Sequence, residues 1–229
     1  MIAPRALIGC ETSGRMRRAF AARGWDVWSC DFLPADDGSN KHRICDIRGG
    51  ILNEGWDFLA VMHPPCTRLC RAGQRWLYGP GKSHPKVLPV GRTWESMLRE
   101  FDEACALFIN CLNAPVPRRM VENPVMHVHA VAAINPPRPQ VVQPWWFGDP
   151  AFKATGLYMV GLPDLVATAP LTVPARGSDE WRAWSKVHRA PPGPDRWKVR
   201  SETFPGLAQA CADQWGPLIE AETGWQHAA

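Results

Sequence analysis

Five apolar residues in a row, Phe58-Leu59-Ala60-Val61-Met62, run into His63 and two prolines, and this stretch constrains the fold more than any other. A short, uniformly apolar run reads as a buried strand. Pro64-Pro65 ends it, because proline fixes φ and offers no N–H to a ladder. Cys66 is thereby delivered at the carboxyl end of a strand, where open α/β sheets keep their ligands. A thiol on a rigid turn there is a candidate nucleophile, although a buried structural cysteine is the ordinary alternative.

The amino-terminal segment supplies a partner for that strand. Ala6-Leu7-Ile8-Gly9-Cys10 reads as a strand, Glu11-Thr12-Ser13-Gly14 as a turn, and Met16, Ala19 and Phe20 as the inner face of a helix capped by Ser13 and stopped at Gly24. Val27-Trp28-Ser29-Cys30 is the next strand and ends on Asp31. Strand, glycine turn, helix, strand and acid make the unit that holds an adenosine-type cofactor, the acid taking the ribose hydroxyls. The turn is not G-x-G-x-x-G, and Glu11 within it repels phosphate, which suits a cofactor with a positive end such as S-adenosylmethionine. A purely structural βαβ unit remains open at this point.

Further along, residues 44–47, with Asp46, read as a short third strand or its exit. Residues 67–92 form a long loop with six Lys/Arg and no Asp/Glu, a basic flap beside the thiol. Trp94, Met97, Leu98, Phe101, Cys105, Phe108 and Leu112 recur at helical spacing and define a core helix. Arg119-Met120-Val121 is then a strand that presents Glu122-Asn123 before Pro124 ejects the chain. Gly156 to Val160 is another strand. Residues 168–200 read as a proline-rich basic linker with seven Lys/Arg against three acids, carrying Trp181, Trp184 and Trp197, which can stack on bases or pack on the body. A last helix opens at Pro205 and is expected to break at Gly216-Pro217.

A chain of 229 residues with 45% hydrophobic and 21% charged residues suits one soluble α/β domain, 1–229. No apolar run approaches a membrane span and no signal-peptide pattern opens the chain, so a cytoplasmic protein without membrane partners is expected. The eight cysteines show no tight pairing and read as reduced thiols. His63, Cys66 and Cys70 match no common zinc spacing, and no metal is expected. Net charge is only +4, but the two basic segments point to a polyanion partner.

Taken together, Pro64-Pro65-Cys66, then Glu122-Asn123, after a glycine-turn strand and Asp46-Ile47, resemble the ordered motifs of DNA (cytosine-5)-methyltransferases. Residues 147–150, Lys153 and the strand at 158–161 are similar to that family's glycine-proline turn, basic pair and strand. Residues 203–215 fall where its last cofactor-side helix lies. The whole chain resembles a compact form of the family common among phage-encoded proteins, with a bacterial or phage-infected host cytoplasm as its setting. The resemblance implies a doubly wound, Rossmann-like α/β sheet of the S-adenosylmethionine-dependent methyltransferase type. It also implies methyl transfer to C5 of cytosine in DNA, duplex or single-stranded.

On this resemblance Cys66 adds to C6, Glu122 assists at N3, Asn123 holds the loop or the base edge, and Lys153 falls near a supporting basic pair. Gly9, Cys10, Glu11, Ser13, Gly14 and Pro64 surround the cofactor, with Asp31 on the ribose and Asp46 on the adenine amino group. Arg68, Arg71, Arg75, Lys82 and Lys86 of the flap hold phosphates. A flipped or unpaired base is required, since C6 is hidden in a stacked duplex.

Departures are equally plain. Met62-His63 stands where the family has Gly-Gly, Thr67 replaces a common Gln, and Lys153-Ala154-Thr155 replaces paired arginines. Only residues 168–200 stand in for a target-recognition domain, so a separate specificity partner is one expectation. A related thiol-and-enamine enzyme acting on nucleotides or with another one-carbon donor, and a non-catalytic DNA-binding or anti-restriction module, are the rival readings.

Overall fold

The computed structural model describes residues 2–78, 88–191, 193, 196–201 and 203–226. Among them seven strands make one sheet in the order β3-β2-β1-β4-β5-β7-β6. These are β1 (Arg5–Gly9), β2 (Asp26–Asp31), β3 (His42–Ile44), β4 (Phe58–Val61), β5 (Arg118–Pro124), β6 (Gln140–Val142) and β7 (Thr155–Val160). β3, β2, β1, β4 and β5 pair in parallel, and β7 runs antiparallel to both β5 and β6. The chain builds outward from β1 to β3, then returns to place β4 on the other side of β1. The switch point therefore lies between β1 and β4, where ligands sit at the carboxyl ends of such sheets. The expected doubly wound, Rossmann-like α/β class is the one observed.

Side chains alternate across the sheet with the two-residue period of a strand. Ala6, Ile8, Phe58, Ala60 and Met62 face a core shared with α1 (Arg15–Ala21) and α8 (Pro205–Thr223). Leu7, Leu59 and Val61 face a second core with α3 (Trp94–Leu112). Phe20 lies 4.7 Å from Phe58, and Phe58 lies 6.1 Å from Trp215, ring centre to ring centre. Both faces of the central strands are thus buried, which is why β4 reads as an unbroken apolar run.

α3 has the predicted bounds. Thr93 and Ser96 form a reciprocal capping box at its start. Its Leu98 is 45% exposed, so that member of the apolar series is not core. Three other expectations are corrected, and one that was open between strand and exit is decided. Ser13 is not the cap residue of α1, although its Oγ accepts the Arg15 N–H at 3.3 Å: Gly14 occupies the cap position in a left-handed conformation (φ 66°), and the Glu11 carboxylate accepts the Met16 N–H at 3.0 Å. The third strand ends at Ile44, before Asp46. β5 continues through Glu122, Asn123 and Pro124, because β7 pairs with all three. α8 runs straight through Gly216-Pro217. Pro217 and Asp213, the residue whose carbonyl loses its helical partner, are both exposed to water. Gly216 leaves room for the Arg23 side chain, which a Cβ would meet at 2.3 Å.

The stretch 168–200 is not an unstructured linker: α5 (Asp179–Trp184), α6 (Lys186–Arg189) and α7 (Arg196–Ser201) occupy part of it. Ring centres of Trp181 and Trp184 lie 5.9 and 5.4 Å from Phe152, so these two tryptophans pack on the body of the protein. The side chain of Trp197 lies outside the described residues. The flap begins with α2 (Arg71–Gln74) and a 3-10 turn at Arg75–Leu77. No described helix is long and apolar enough to cross a membrane.

Candidate active site

A cavity of about 430 Å³ opens at the switch point. Cys10 follows β1, Asp31 closes β2, Asp46 follows β3, and His63 and Pro65 follow β4; all five line it. Phe32, 67% exposed, adds a ring beside Asp31. Cys10 is one of two non-glycine residues with positive φ among those described (53°), a costly conformation of the kind kept at functional turns. Its thiol is raised well above the ordinary range, first by burial and then by neighbouring thiol and carboxylate charge.

The rest of the predicted cofactor set lies outside this lining. Gly9 is tightly enclosed, since a Cβ there would meet Ile47 Cδ1 at 2.3 Å. Pro64 is buried. Ser13 donates to Glu11 Oε1 at 2.9 Å, while Glu11 Oε2 is buried with no hydrogen-bond partner among the described residues. An orphaned carboxylate oxygen on the β1–α1 turn suits a cationic ligand group. Asp46 is clasped by its own neighbour: the Arg48 guanidinium donates to both carboxylate oxygens at 2.6–3.0 Å and holds the acid below its usual range. Any ligand donor at Asp46 shares that carboxylate with Arg48.

Glu122 faces the α8 side of the sheet, as Met120 does, and is 4% exposed. His63 Nδ1 stands 3.7 Å from Glu122 Oε2, and His63 Nε2 is 2.8 Å from Thr203 Oγ1. Met62, His63, Glu122, Lys153, Thr203 and Phe204 enclose a space of about 10 Å³, room for a single water. Cys66 sits on the turn after Pro65, where its carbonyl accepts the Leu69 and Cys70 N–H groups at 3.0 Å. Its thiol is pushed up to about 12, first by burial, then by the charges of Glu122 and Cys70, with Lys153 opposing them. Cys66 lines neither this space nor the larger cavity, although the charges of Glu122 and Lys153 reach its thiol, and His63 borders both spaces.

Asn123 lines neither space. It is fully buried and donates through Nδ2 to the Pro124 carbonyl at 2.7 Å, with Oδ1 unpartnered among the described residues. Arg68 is likewise not free for a phosphate: it is 8% exposed and donates to Glu100 at 2.9 Å, and Arg92 reaches the same carboxylate at 2.6 Å. Arg71 and Arg75 are exposed, with Arg75 stacked 4.7 Å from the Trp76 ring centre. Lys82 and Lys86 lie outside the described residues. All eight cysteines are free thiols.

Sequence reasoning missed His63, Thr203 and Phe32. The Met62-His63 departure was the available signal for the first.

No family model matches the chain, and no curated protein matches it. Solved structures do. A candidate DNA modification methyltransferase encoded within an Escherichia coli prophage matches at 12% identity and TM-score 0.38, over 69% of this chain and 46% of that one. The S. pombe Dnmt2 methyltransferase matches at 14% identity and TM-score 0.40, over 71% of this chain and 51% of that one. A mutant Spodoptera frugiperda DNMT2 matches at 13% and 0.39, over 77% and 61%. The chain spans about half the length of the first two.

Proposed function

We propose that this chain transfers a methyl group from S-adenosylmethionine to C5 of cytosine in DNA. The observation that carries the reading is geometric: Glu122 at the end of β5 and Lys153 on the approach to β7 line one small space with His63, which also lines the switch-point cavity, and Cys66 stands on the turn that follows the same strand as His63. A nucleophile and a carboxyl acid delivered by neighbouring strand ends are what addition to a pyrimidine asks for.

The cavity residues suit the cofactor. Asp31 offers acceptors for ribose hydroxyls and Phe32 an apolar face, while Glu11, buried outside the lining on the same turn as Cys10, has an unpartnered oxygen suited to an ammonium. When bound, the cofactor supplies an electrophilic methyl group and a sulfonium charge. The chain's own residues do the rest. The Cys66 thiolate forms the S–C6 bond, and the C5=C6 electron pair moves so that C5 becomes nucleophilic. Glu122 delivers a proton to N3, and Lys153 offsets the negative charge that the thiolate brings. Elimination later breaks the S–C6 bond as C5 gives its proton to a water molecule and N3 returns its own to Glu122. Arg71 and Arg75, both exposed, would meet phosphates, and Asn123 would hold the β5 exit.

Incubation with labelled S-adenosylmethionine and duplex DNA, single-stranded DNA or dCMP tests the reading. Expected are label in DNA and a covalent adduct with 5-fluorocytosine DNA that Cys66→Ala abolishes. Label in none of the three, or an adduct that survives Cys66→Ala, overturns it. Label in dCMP alone transfers the reading to a nucleotide-modifying enzyme.

A further inference from the structure

Resting on the methyl-transfer reading, we infer that the outer side of α6, presenting Lys186 and Arg189, is a surface along which the phosphate backbone of the substrate DNA lies when a base is offered to Glu122. The resemblance places phosphate contacts on the flap alone, and this surface is separate from the flap in the chain. Residues 181–194 hold three Lys/Arg and no Asp/Glu. Trp184, Val187 and Ala190 recur every three residues, are all buried, and form the inner side along α5 and α6. Lys186 and Arg189 fall between them and are exposed.

Not every cation of the run is open to a ligand. Arg182 donates to Asp179 at 2.7 Å, and that pair is closed on itself. Lys186 and Arg189 meet no carboxylate among the described residues. Two unneutralised charges three residues apart on one side of a helix set up a positive field that attracts a polyanion. An ordinary solvated face has the same composition, so position decides.

α6 stands at the rim of the space that holds Glu122. On one side the Phe152 N–H donates to the Trp184 carbonyl at 2.9 Å, and Phe152 leads directly to Lys153 in the lining. On the other, Lys186 Nζ lies 6.0 Å from the ring centre of Phe204, which lines the space too. Met62, Glu122, Val142 and Thr155 of that lining belong to the sheet strands or follow them, so the sheet closes the space from beneath. A base comes in across the rim, and its own phosphates come with it. Contacts to those phosphates fix position and register but read no sequence. The occupant is the DNA backbone, held without base preference.

The test is the salt dependence of binding of the full chain to a fluorescein-labelled DNA duplex, without S-adenosylmethionine. Lys186→Ala and Arg189→Ala should each flatten the slope of log K against log salt by roughly 0.9, and the two together by roughly 1.8. Arg182→Ala removes the same charge from a position that Asp179 already occupies and should leave the slope in place. If an alanine variant does not fold, the glutamine variant of the same residue serves. Unchanged slopes in the folded Lys186 and Arg189 variants overturn the inference, and so does equal flattening by Arg182→Ala. A wild type that does not bind the duplex overturns it as well, as does RNA of the same sequence binding at least tenfold tighter. Because binding needs no chemistry, the two readings fail separately. Flattened slopes without a 5-fluorocytosine adduct remove the methyl transfer and keep the DNA surface, whereas an adduct with unchanged slopes does the reverse.

Discussion

Glu122 and Asn123 are adjacent on β5 yet serve opposite faces of the sheet. Glu122 looks toward His63 and the α8 side, while Asn123 is fully buried and donates to the Pro124 carbonyl at 2.7 Å. Strand alternation forces this separation, so Glu122 shares a space with His63 and Lys153 while Asn123 does not. Asn123→Ala should therefore cost stability, about 1–3 kcal/mol for stranding a buried carbonyl partner, read from urea unfolding. Glu122→Gln should leave the urea midpoint within experimental scatter and abolish adduct formation. Equal loss of adduct in two folded, equally stable variants would put Asn123 back in the active site.

The Cys66 thiol, pushed up to about 12, is a protected nucleophile at rest. At pH 8 about one molecule in ten thousand carries the thiolate. Because Glu122 raises the thiol and Lys153 lowers it, Glu122→Gln should speed alkylation of Cys66 by iodoacetamide at least threefold at fixed pH, and Lys153→Met should slow it. Mass spectrometry of the Cys66 peptide separates it from the other seven thiols. Unaltered rates in both variants would mean that the three side chains do not share an electrostatic environment.

The flap arginines divide by burial. Arg68 is enclosed and paired with Glu100, whereas Arg71 and Arg75 are exposed. Each of the latter, changed to alanine, should flatten the dependence of log K on log salt for DNA binding by roughly 0.9 if it contacts one phosphate. Arg68→Ala should leave that slope intact and instead lower stability, since Glu100 loses a partner on α3. A shallower salt slope for Arg68→Ala would show that the Glu100 pair opens on DNA.

Elements set by local pattern were legible in the sequence. α3 has its predicted bounds because a capping box and an apolar stripe agree, and β4 because an apolar run meets two prolines. Elements set by tertiary packing were not. Pro217 is tolerated inside α8 because it faces water, and Pro124 stays in β5 because β7 pairs alongside it. The short helices between 179 and 201 carry no helical stripe, and only the Ser178 cap hints at the first. Within the site, Cys66, Glu122 and Asp31 could be read as strand ends. His63 could not be read as their neighbour, because its anchor, Thr203, lies 140 residues further along the chain.

Alkaline pH should unfold this chain through its thiols. Cys30 and Cys111 are wholly buried, and burial above all pushes each up to about 12 from an ordinary value of 9.0. Between those limits the unfolded chain has released both protons and the folded chain has kept them. Unfolding free energy therefore falls as pH rises, by about 1.4 kcal/mol per unit for each thiol. The contribution is complete below pH 9 and is lost as pH climbs toward 12. Urea titrations at pH 8 and pH 10.5 should show the decline, and Cys30→Ala with Cys111→Ala should flatten it by about 3 kcal/mol per unit over the upper part of that range. A double variant with the wild-type slope would mean that these thiols ionise inside the folded protein as readily as outside it, which requires water to reach the second core beneath α3.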